Sequence, residues 1–298
     1  MWAAVAVRPV ILPAAGRGDD LQVRVSAPTT GTELPLVVFS HGFGSSMDGY
    51  GPLADHWAAH GFVVVQPTHL DSTTLAIPAE DPRTPRIWRH RIDDLVRVID
   101  ELDRIEAAVP GLAGRLDRTR IAVAGHSWGA TSASALLGAR VLDEHGHPGE
   151  DMTDRRVSAG VLLALAGTGG PDRTPFAAEQ FPFMNPDFSG LKTPALLVAG
   201  ESDQSPLSVR GPDWWADGYH QSPGAESLLT VAGAEHSLGG IVNHLAAHQM
   251  AEHESADKVA LVQRVTTAYL RHALAAGDED WTRIQAELAD GRLESEQA

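Results

Sequence analysis

Ser127 stands in the sequence GHSWG at residues 125–129, which fits the pattern G-x-S-x-G. In this pattern a serine occupies a sharp turn between a strand and a helix, and the two glycines leave room for neighbouring backbone. The apolar run IAVA at residues 121–124 precedes the motif, and a stretch of small residues follows it. Because a glycine-rich chain can contain the pattern by chance, this context is what makes Ser127 a candidate nucleophile for acyl transfer.

Asp203 and His236 follow Ser127 in the order that such a nucleophile requires, which is serine, then an acid, then histidine. Asp203 comes shortly after the apolar run LLVAG at residues 196–200, and His236 comes shortly after SLLTV at residues 227–231. His236 would accept the Ser127 proton and return it to the leaving alcohol. Asp203 would hold the imidazole in the required tautomer.

Other residues compete for the acid and base roles. Glu201 is nearer the end of the predicted strand than Asp203 and is the second candidate for the acid. Among the 14 histidines of the chain, His220 is the main alternative to His236. Two weaker candidates for the acid lie in loops without a strand directly before them: Asp172 and Asp213.

The sequence HGFG at residues 41–44 follows the apolar run LPLVVFS and predicts the second half of an acyl-transfer site. Acyl transfer needs two backbone N–H groups aimed at the forming oxyanion. One should belong to Trp128, directly after the serine, and the other to a loop after an earlier strand, for which we predict Phe43. Four aromatic residues are predicted to contact the substrate: Phe43, Trp128, Phe181 and Trp214. Trp215, directly after Trp214, is a further candidate for the lining of the cleft.

The elements that would position these residues alternate between strand and helix. Strands are predicted at residues 5–12, 21–26, 34–40, 62–66, 120–124, 157–165, 194–199 and 227–231. Helices are predicted at residues 50–60, 88–106, from the serine motif to about 140, and 258–274. The alternation predicts an α/β fold with a mostly parallel central sheet flanked by helices. Without repeats or long linkers, residues 1–298 are expected to form a single domain.

Residues 168–190 are too many for an ordinary connection between two strands. The segment carries four phenylalanines, at positions 176, 181, 183 and 188. We therefore predict a lid-like excursion or wall over the site, and a packed surface excursion is the equally weighted alternative.

Composition narrows the classes of partner. The chain has 43% hydrophobic residues, no cysteine and a formal net charge of −16, so thiol chemistry is excluded and nucleic acid is not an expected partner. No apolar stretch has the length of a membrane span, and the first residues do not resemble a signal peptide. These features predict a cytoplasmic protein without stable membrane insertion, and they leave the oligomeric state unknown.

Three histidines close in sequence, His244, His248 and His253, raise the question of a metal site. The first two would share one face of a helix, as metal ligands require. No glutamate follows His244 directly, so the metalloprotease pattern H-E-x-x-H is absent. A solvated or lid helix is the favoured interpretation, and no metal is expected.

With HGFG, GHSWG, ESD and AEHS in this order, the chain resembles the α/β-hydrolase superfamily along nearly its whole length. The stretch SHGFGSSMDGYGPLADHWAAHGFVVVQPTH, followed by WRHRIDDLVRVIDEL, is similar to the group of platelet-activating-factor acetylhydrolases, chlorophyllases and dienelactone-hydrolase-like proteins. This resemblance implies hydrolysis of carboxylic esters without metal or organic cofactor. It also implies that Phe43 and Trp128 provide the oxyanion N–H groups.

The chain departs from each of these patterns in one feature. Dienelactone hydrolases use cysteine as the nucleophile, whereas this chain has none. Chlorophyllases usually carry arginine directly after the nucleophile, where Trp128 stands here. Cutinase-like polyester hydrolases are also similar, but they are secreted, and the aromatic residue expected near residues 164–167 is absent.

The sequence therefore predicts a serine carboxylesterase-type hydrolase that cleaves a small-molecule ester through an acyl-serine intermediate. A lipid or polyester hydrolase is the alternative within the same chemistry. A non-catalytic protein that binds a ligand on this fold is the alternative from another class, and the complete set of serine, aspartate and histidine counts against it. Acyl transfer and perhydrolysis would use the same residues and stay open.

Overall fold

A computed structural model describes residues 1–242, 255–288 and 292–295. Its strands are β1 (Ala4–Leu12), β2 (Leu21–Pro28), β3 (Leu34–Ser40), β4 (Val63–Pro67), β5 (Leu116–His126), β6 (Arg140–Val141), β7 (Val157–Leu163), β8 (Pro186–Asp187), β9 (Ala195–Gly200), β10 (Ala225–Val231) and β11 (Leu293–Ser295). Its helices are α1 (Gly51–Ala59), α2 (Ile87–Asp100), α3 (Leu102–Ala108), α4 (Trp128–Leu137), α5 (Pro175–Gln180), α6 (Asp217–Gln221), α7 (Ala256–Ala273) and α8 (Glu279–Glu287).

Nine of the described strands form one sheet in the order β1-β2-β4-β3-β5-β7-β9-β10-β11. The six strands from β4 to β10 in this order run parallel to one another, whereas β1, β2 and β11 pair antiparallel at the two edges. The short strands β6 and β8 pair with each other outside this sheet. A mostly parallel sheet flanked by helices confirms the predicted α/β-hydrolase fold.

The apolar runs of the central strands are buried because helices cover both faces of the sheet. Every residue of β3 is buried, and its side chains alternate between two hydrophobic clusters. Leu36 and Val38 pack on the face covered by α2 and α4, while Val37 and Phe39 pack on the face covered by α1 and α7. This alternation follows from the two-residue period of a strand.

The predicted strands and helices are present, but the structure differs from the prediction in one helix and contains further elements. The helix predicted at residues 88–106 is two helices, because α2 ends at Asp100 and α3 begins at Leu102. The buried positions Ile99, Leu102 and Ile105 keep helical spacing across this break, so the apolar pattern could not reveal it. The further elements are the short β6, α5, β8 and α6, and, at the end of the chain, α8 and the edge strand β11.

The long excursion at residues 168–190 contains α5 and β8. Phe188 is buried in the main core, Phe181 is half-buried, and Phe176 is exposed. The segment therefore packs against the domain at one end and reaches solvent at the other.

The candidate metal ligands His244, His248 and His253 lie outside the described residues. Across the helices that the structure describes, none is both long and apolar enough to cross a membrane.

The backbone at the start of α4 packs closely against the end of β3 and the end of β5, because Gly125 and Gly129 have no side chains. A Cβ atom on Gly129 would stand 2.0 Å from the carbonyl oxygen of Ser40, and one on Gly125 would stand 2.3 Å from the carbonyl carbon of Gly129. Real Cβ atoms do not approach backbone this closely, so only glycine allows the strand, turn and helix to stack in this way.

We expect Gly129→Ala to lower the free energy of unfolding by about 2–3 kcal/mol, since the added methyl group must push two backbone segments apart. Gly211→Ala is the matched control, because its nearest neighbour would be a side-chain oxygen of Asp213 at 3.4 Å. Urea unfolding of both variants measures the difference. Equal stability of the two variants would contradict the close packing described here.

Candidate active site

Ser127 occupies the turn between β5 and α4 in a strained backbone conformation, with φ 56° and ψ −124°. A non-glycine residue at positive φ costs about 1–3 kcal/mol and persists only where its surroundings enforce it. The Ser127 N–H donates to the carbonyl of Leu163 in β7 at 2.9 Å, and the Ser127 carbonyl accepts from the N–H groups of Ala130 and Thr131 in α4. The turn is thus bonded to the strand beside it and to the helix after it.

The side chains of Ser127, His236 and Asp203 form a hydrogen-bonded series. His236 Nε2 lies 2.9 Å from Ser127 Oγ, and His236 Nδ1 lies 2.8 Å from Asp203 Oδ2. Because a carboxylate only accepts, Nδ1 carries the proton and Nε2 is free to accept the serine hydroxyl. Asp203 is 1% exposed, whereas the His236 ring is 27% exposed and faces the cleft described below.

The topology of the sheet explains why these residues meet. Ser127 follows β5, Asp203 follows β9 and His236 follows β10, and these strands run parallel to one another. The carboxyl ends of parallel strands lie at one edge of the sheet, where ligand sites of open α/β sheets are found. Residues far apart in sequence are therefore brought to one place by strand order alone.

The competing candidates lie elsewhere. Glu201 accepts the Gly233 N–H at 2.8 Å, and His220 is exposed on α6 beside Tyr219. The two loop aspartates are bound to the guanidinium of Arg210: Asp172 at 3.2 Å and Asp213 at 2.7 Å.

The loop at residues 41–44 leaves one N–H group without an internal acceptor. The Gly42 N–H donates to Tyr50 Oη at 3.0 Å, and the Gly44 N–H donates to Asp71 Oδ2 at 2.9 Å. Within the part of the chain that the structure describes, the N–H groups of Phe43 and Trp128 have no acceptor. The two predicted oxyanion donors are therefore both available to a ligand.

A cleft of about 840 Å³ opens above Ser127 and His236. Its apolar lining comes from Phe43, Trp128, Phe181, Met184, Leu207, Trp215 and Val242. Its polar lining includes Ser45, Ser46, Asp48, Thr73, Thr74 and Gln204. Phe181 and Met184 belong to the excursion at residues 168–190, which thus forms a wall of the cleft, and the Phe43 ring stacks on Trp128 at 5.4 Å.

The prediction that Trp214 lines the cleft is wrong, because its neighbour Trp215 occupies that position. Trp214 is 1% exposed, packs in the core and donates its indole N–H to the Thr168 carbonyl at 2.9 Å. The Trp215 ring lies 4.8 Å from the His236 ring, and its indole N–H donates to the Asp203 carbonyl at 3.0 Å. Consecutive residues in the helical turn at 212–216 point in different directions, and the sequence WW does not tell which faces the site.

Comparisons with known proteins agree with this architecture. The family model described as chlorophyllase matches residues 19–142, a segment that includes both glycine-rich motifs. A platelet-activating factor acetylhydrolase from Cavia porcellus is 27% identical over 142 residues, covering 36% of this chain and only 33% of that protein's own length. Both belong to the group that the sequence motifs resemble. Both matches are to members of the α/β-hydrolase superfamily, whose fold this chain has.

The family match ends before two of the candidate site residues. Residues 19–142 contain Phe43 and Ser127, whereas Asp203 and His236 lie beyond them. The grouping of the latter two with Ser127 therefore rests on the strand order and the hydrogen bonds described above. In the described part of the chain, no group of three or more potential ligands (His, Cys, Asp or Glu) is arranged to hold a metal ion.

A buried hydrogen-bond chain connects the two sides of the site, and the sequence analysis did not identify it. Tyr50 Oη accepts from the Gly42 N–H and donates to His126 Nδ1 at 2.8 Å. His126 Nε2–H then donates to the backbone carbonyl of His236 at 2.7 Å. The only sequence signal was the position of His126 directly before the serine. These hydrogen bonds join the loop at residues 41–44 to the loop that carries His236.

Two of the buried histidines in this α/β hydrolase are held in the neutral form. Burial, opposed only weakly by a hydrogen bond to the His236 carbonyl, lowers the pKa of His126 to about 3. Burial, together with the positive charge of Arg91, lowers the pKa of His41 to about 4. Between these values and the ordinary value near 6.5, each histidine binds its proton only after unfolding.

These shifts predict that acid destabilises the fold. Since the unfolded chain binds more protons, the free energy of unfolding should fall by about 2 kcal/mol per histidine between pH 7 and pH 5. In urea unfolding at the two pH values, we expect the free energy of unfolding of His126→Gln to fall less than that of the wild type, because the contribution of His126 is gone. His145→Gln is the control, because His145 is exposed. An unchanged pH dependence in His126→Gln would contradict the assignment.

Proposed function

We propose that this α/β hydrolase cleaves carboxylic esters through a covalent acyl–Ser127 intermediate. The observation that carries the proposal is the series of hydrogen bonds from Asp203 through His236 to Ser127, at 2.8 and 2.9 Å. The strained turn at Ser127 and the two free N–H groups nearby supply the remaining parts of an acyl-transfer site. The names of the matched family, chlorophyllase, and of the matched relative, an acetylhydrolase, add support for ester substrates.

The first half of the reaction forms the acyl-enzyme. His236 Nε2 takes the hydroxyl proton as Ser127 Oγ bonds to the carbonyl carbon of the ester. The carbonyl oxygen becomes an oxyanion, which accepts hydrogen bonds from the Phe43 N–H in the loop after β3 and from the Trp128 N–H at the N-terminus of α4. The buried carboxylate of Asp203 stabilises the imidazolium. The bond to the alcohol oxygen then breaks, and His236 gives its proton to the departing alcohol.

The second half repeats these steps with water. His236 removes a proton from a water molecule as its oxygen bonds to the acyl carbon, and the same two N–H groups stabilise the second oxyanion. The bond from the acyl carbon to Ser127 Oγ then breaks, and His236 returns the proton to the serine. The acid leaves as product. These steps need no metal or organic cofactor.

We expect Ser127→Ala to remove turnover of p-nitrophenyl butyrate and labelling by a fluorophosphonate, because both need the hydroxyl.

Asp203→Asn should lower kcat by about 10³–10⁴, since the amide stabilises the wrong tautomer of His236. Glu201→Gln is the matched control and should keep kcat within about threefold, because Glu201 contacts the Gly233 N–H and not His236.

Peptide mass spectrometry of the labelled protein locates the adduct. An adduct on Ser127 that disappears together with turnover is the expected result. Turnover that survives in Ser127→Ala would overturn the assignment of the nucleophile. If the wild-type protein showed neither adduct nor turnover, the fold would be serving a non-catalytic binding protein instead.

A lipid or polyester hydrolase is the second candidate, and the size and lining of the cleft favour it over an enzyme for very small esters. The cleft of about 840 Å³ exceeds the needs of an acetyl ester. Phe43 is 54% exposed, and its ring packs against Phe181 at the wall of the cleft. Exposed aromatic rings beside a cleft suit a long apolar chain.

We expect kcat/KM to rise at least about tenfold from p-nitrophenyl acetate to octanoate, since each buried methylene contributes up to about 0.8 kcal/mol. Phe181→Ala should reduce this rise because Phe181 lines the cleft. Phe176→Ala, which removes a ring outside the lining, should leave it unchanged. A flat or falling series would contradict an apolar acyl pocket. Faster hydrolysis of emulsified tributyrin or a polyester film than of dissolved esters would favour the second candidate.

A further inference from the structure

Arg91 of α2 is completely buried behind the site, and one part of its guanidinium group contacts the loop at residues 41–44. One terminal nitrogen donates to Asp71 Oδ1 at 2.6 Å. The other donates to the backbone carbonyl of His41 and to Ser40 Oγ. The guanidinium therefore binds the end of β3 and the first residue of this loop directly.

Asp71 extends the contact to the far side of Phe43. Its second oxygen, Oδ2, accepts the Gly44 N–H at 2.9 Å. Arg91 and its partner thus hold the backbone on both sides of Phe43, at the carbonyl of His41 and at the N–H of Gly44. Burial alone would raise the pKa of Asp71, but the charge of Arg91 and the Gly44 N–H hold it below the ordinary value.

The same guanidinium also contacts the residue after the serine. Its central carbon lies 4.8 Å from the centre of the Trp128 ring, a distance at which a cation is attracted to the face of an indole. Its Nε donates to Ser132 Oγ at 3.1 Å, and Ser132 Oγ donates to the Trp128 carbonyl at 3.0 Å. Trp128 is therefore bound at its ring and at its backbone.

We propose that Arg91 is a positioning residue, which sets the distance and orientation between the N–H groups of Phe43 and Trp128. The inference rests on the proposed function, since it assigns to these groups the binding of an oxyanion. A guanidinium is planar and presents five N–H donors in a rigid arrangement, so one buried group can bind two loops at once. Donors fixed in advance stabilise a developing charge without reorganisation at the moment of reaction.

A lysine cannot reproduce this set of contacts. Its ammonium is a compact charge on a flexible stem, so Arg91→Lys keeps the positive charge beside Asp71 but loses the fork that also reaches Ser132 and the loop. The substitution therefore tests geometry while leaving the charge in place. If Arg91 serves only the stability of the fold, the same substitution at any other buried arginine with a similar ion pair should change kcat and Tm to the same extent.

Arg17 provides the matched control. It is 5% exposed and forms an ion pair with Asp94 at 2.8 Å. It also donates to the Thr68 carbonyl at 2.8 Å, and among the described residues its side chain makes no hydrogen bond to residues 41–44 or to Trp128. Arg17→Lys should cost stability comparable to that lost in Arg91→Lys without changing the oxyanion donors.

The experiment measures kcat and KM on p-nitrophenyl butyrate, Tm, and the inhibition constant of an alkyl trifluoromethyl ketone, whose adduct with serine carries an oxyanion. For Arg91→Lys we expect kcat to fall about 10–100-fold with KM within about twofold. The inhibition constant should rise by the same factor as kcat/KM falls, because both report stabilisation of the oxyanion. For Arg17→Lys we expect a similar loss of Tm with kcat within about threefold.

Ser132→Ala tests the same proposal if Arg91→Lys fails to fold. It removes only the hydroxyl between Arg91 and the Trp128 carbonyl, and we expect kcat to fall about 3–10-fold with unchanged KM. Unchanged kcat and inhibition constant in the folded variants would overturn the inference, as would an equal loss of kcat in Arg17→Lys. These outcomes all require an active wild-type enzyme, so absence of wild-type turnover and labelling refutes the proposed function instead.

Discussion

The backbone at Ser127 is kept in a conformation that residues with a side chain avoid, and the rest of the site depends on it. The turn persists because its N–H binds β7 and its carbonyl binds the first turn of α4. Gly125 and Gly129 allow the strand, the turn and the helix to approach within distances that no Cβ atom would tolerate. As a consequence, the Ser127 hydroxyl, the Trp128 N–H and the N-terminus of α4 lie together at the cleft.

Buried polar groups set the geometry around this turn. One chain of hydrogen bonds runs from the Gly42 N–H through Tyr50 and His126 to the carbonyl of His236. A second set radiates from Arg91. Burying charged and polar groups costs free energy of desolvation, which such networks offset only when their members are bonded. In this protein the two networks fix the positions of loops that follow different strands relative to one another.

The cleft lies between these hydrogen-bonded loops and an apolar wall. The excursion at residues 168–190 contributes Phe181 and Met184, and its inner end is anchored by the buried Phe188. Aromatic contacts continue from Phe181 to Phe43 and Trp128, the two residues whose N–H groups face the proposed oxyanion. In the proposed mechanism, substrate preference and stabilisation of the reacting carbonyl therefore depend on the same two residues.

The sequence alone predicted the α/β-hydrolase fold, most strand positions, and the grouping of Ser127, Asp203 and His236, because strand periodicity, glycine spacing and motif order are local signals. It could not decide between Trp214 and Trp215, nor reveal the break after Asp100 or the edge strand β11. It also left Arg91 on an amphipathic helix without a role, although its partners come from β3, α4 and the loop after β4. Those features are determined by contacts between residues far apart in the chain, which only the tertiary structure brings together.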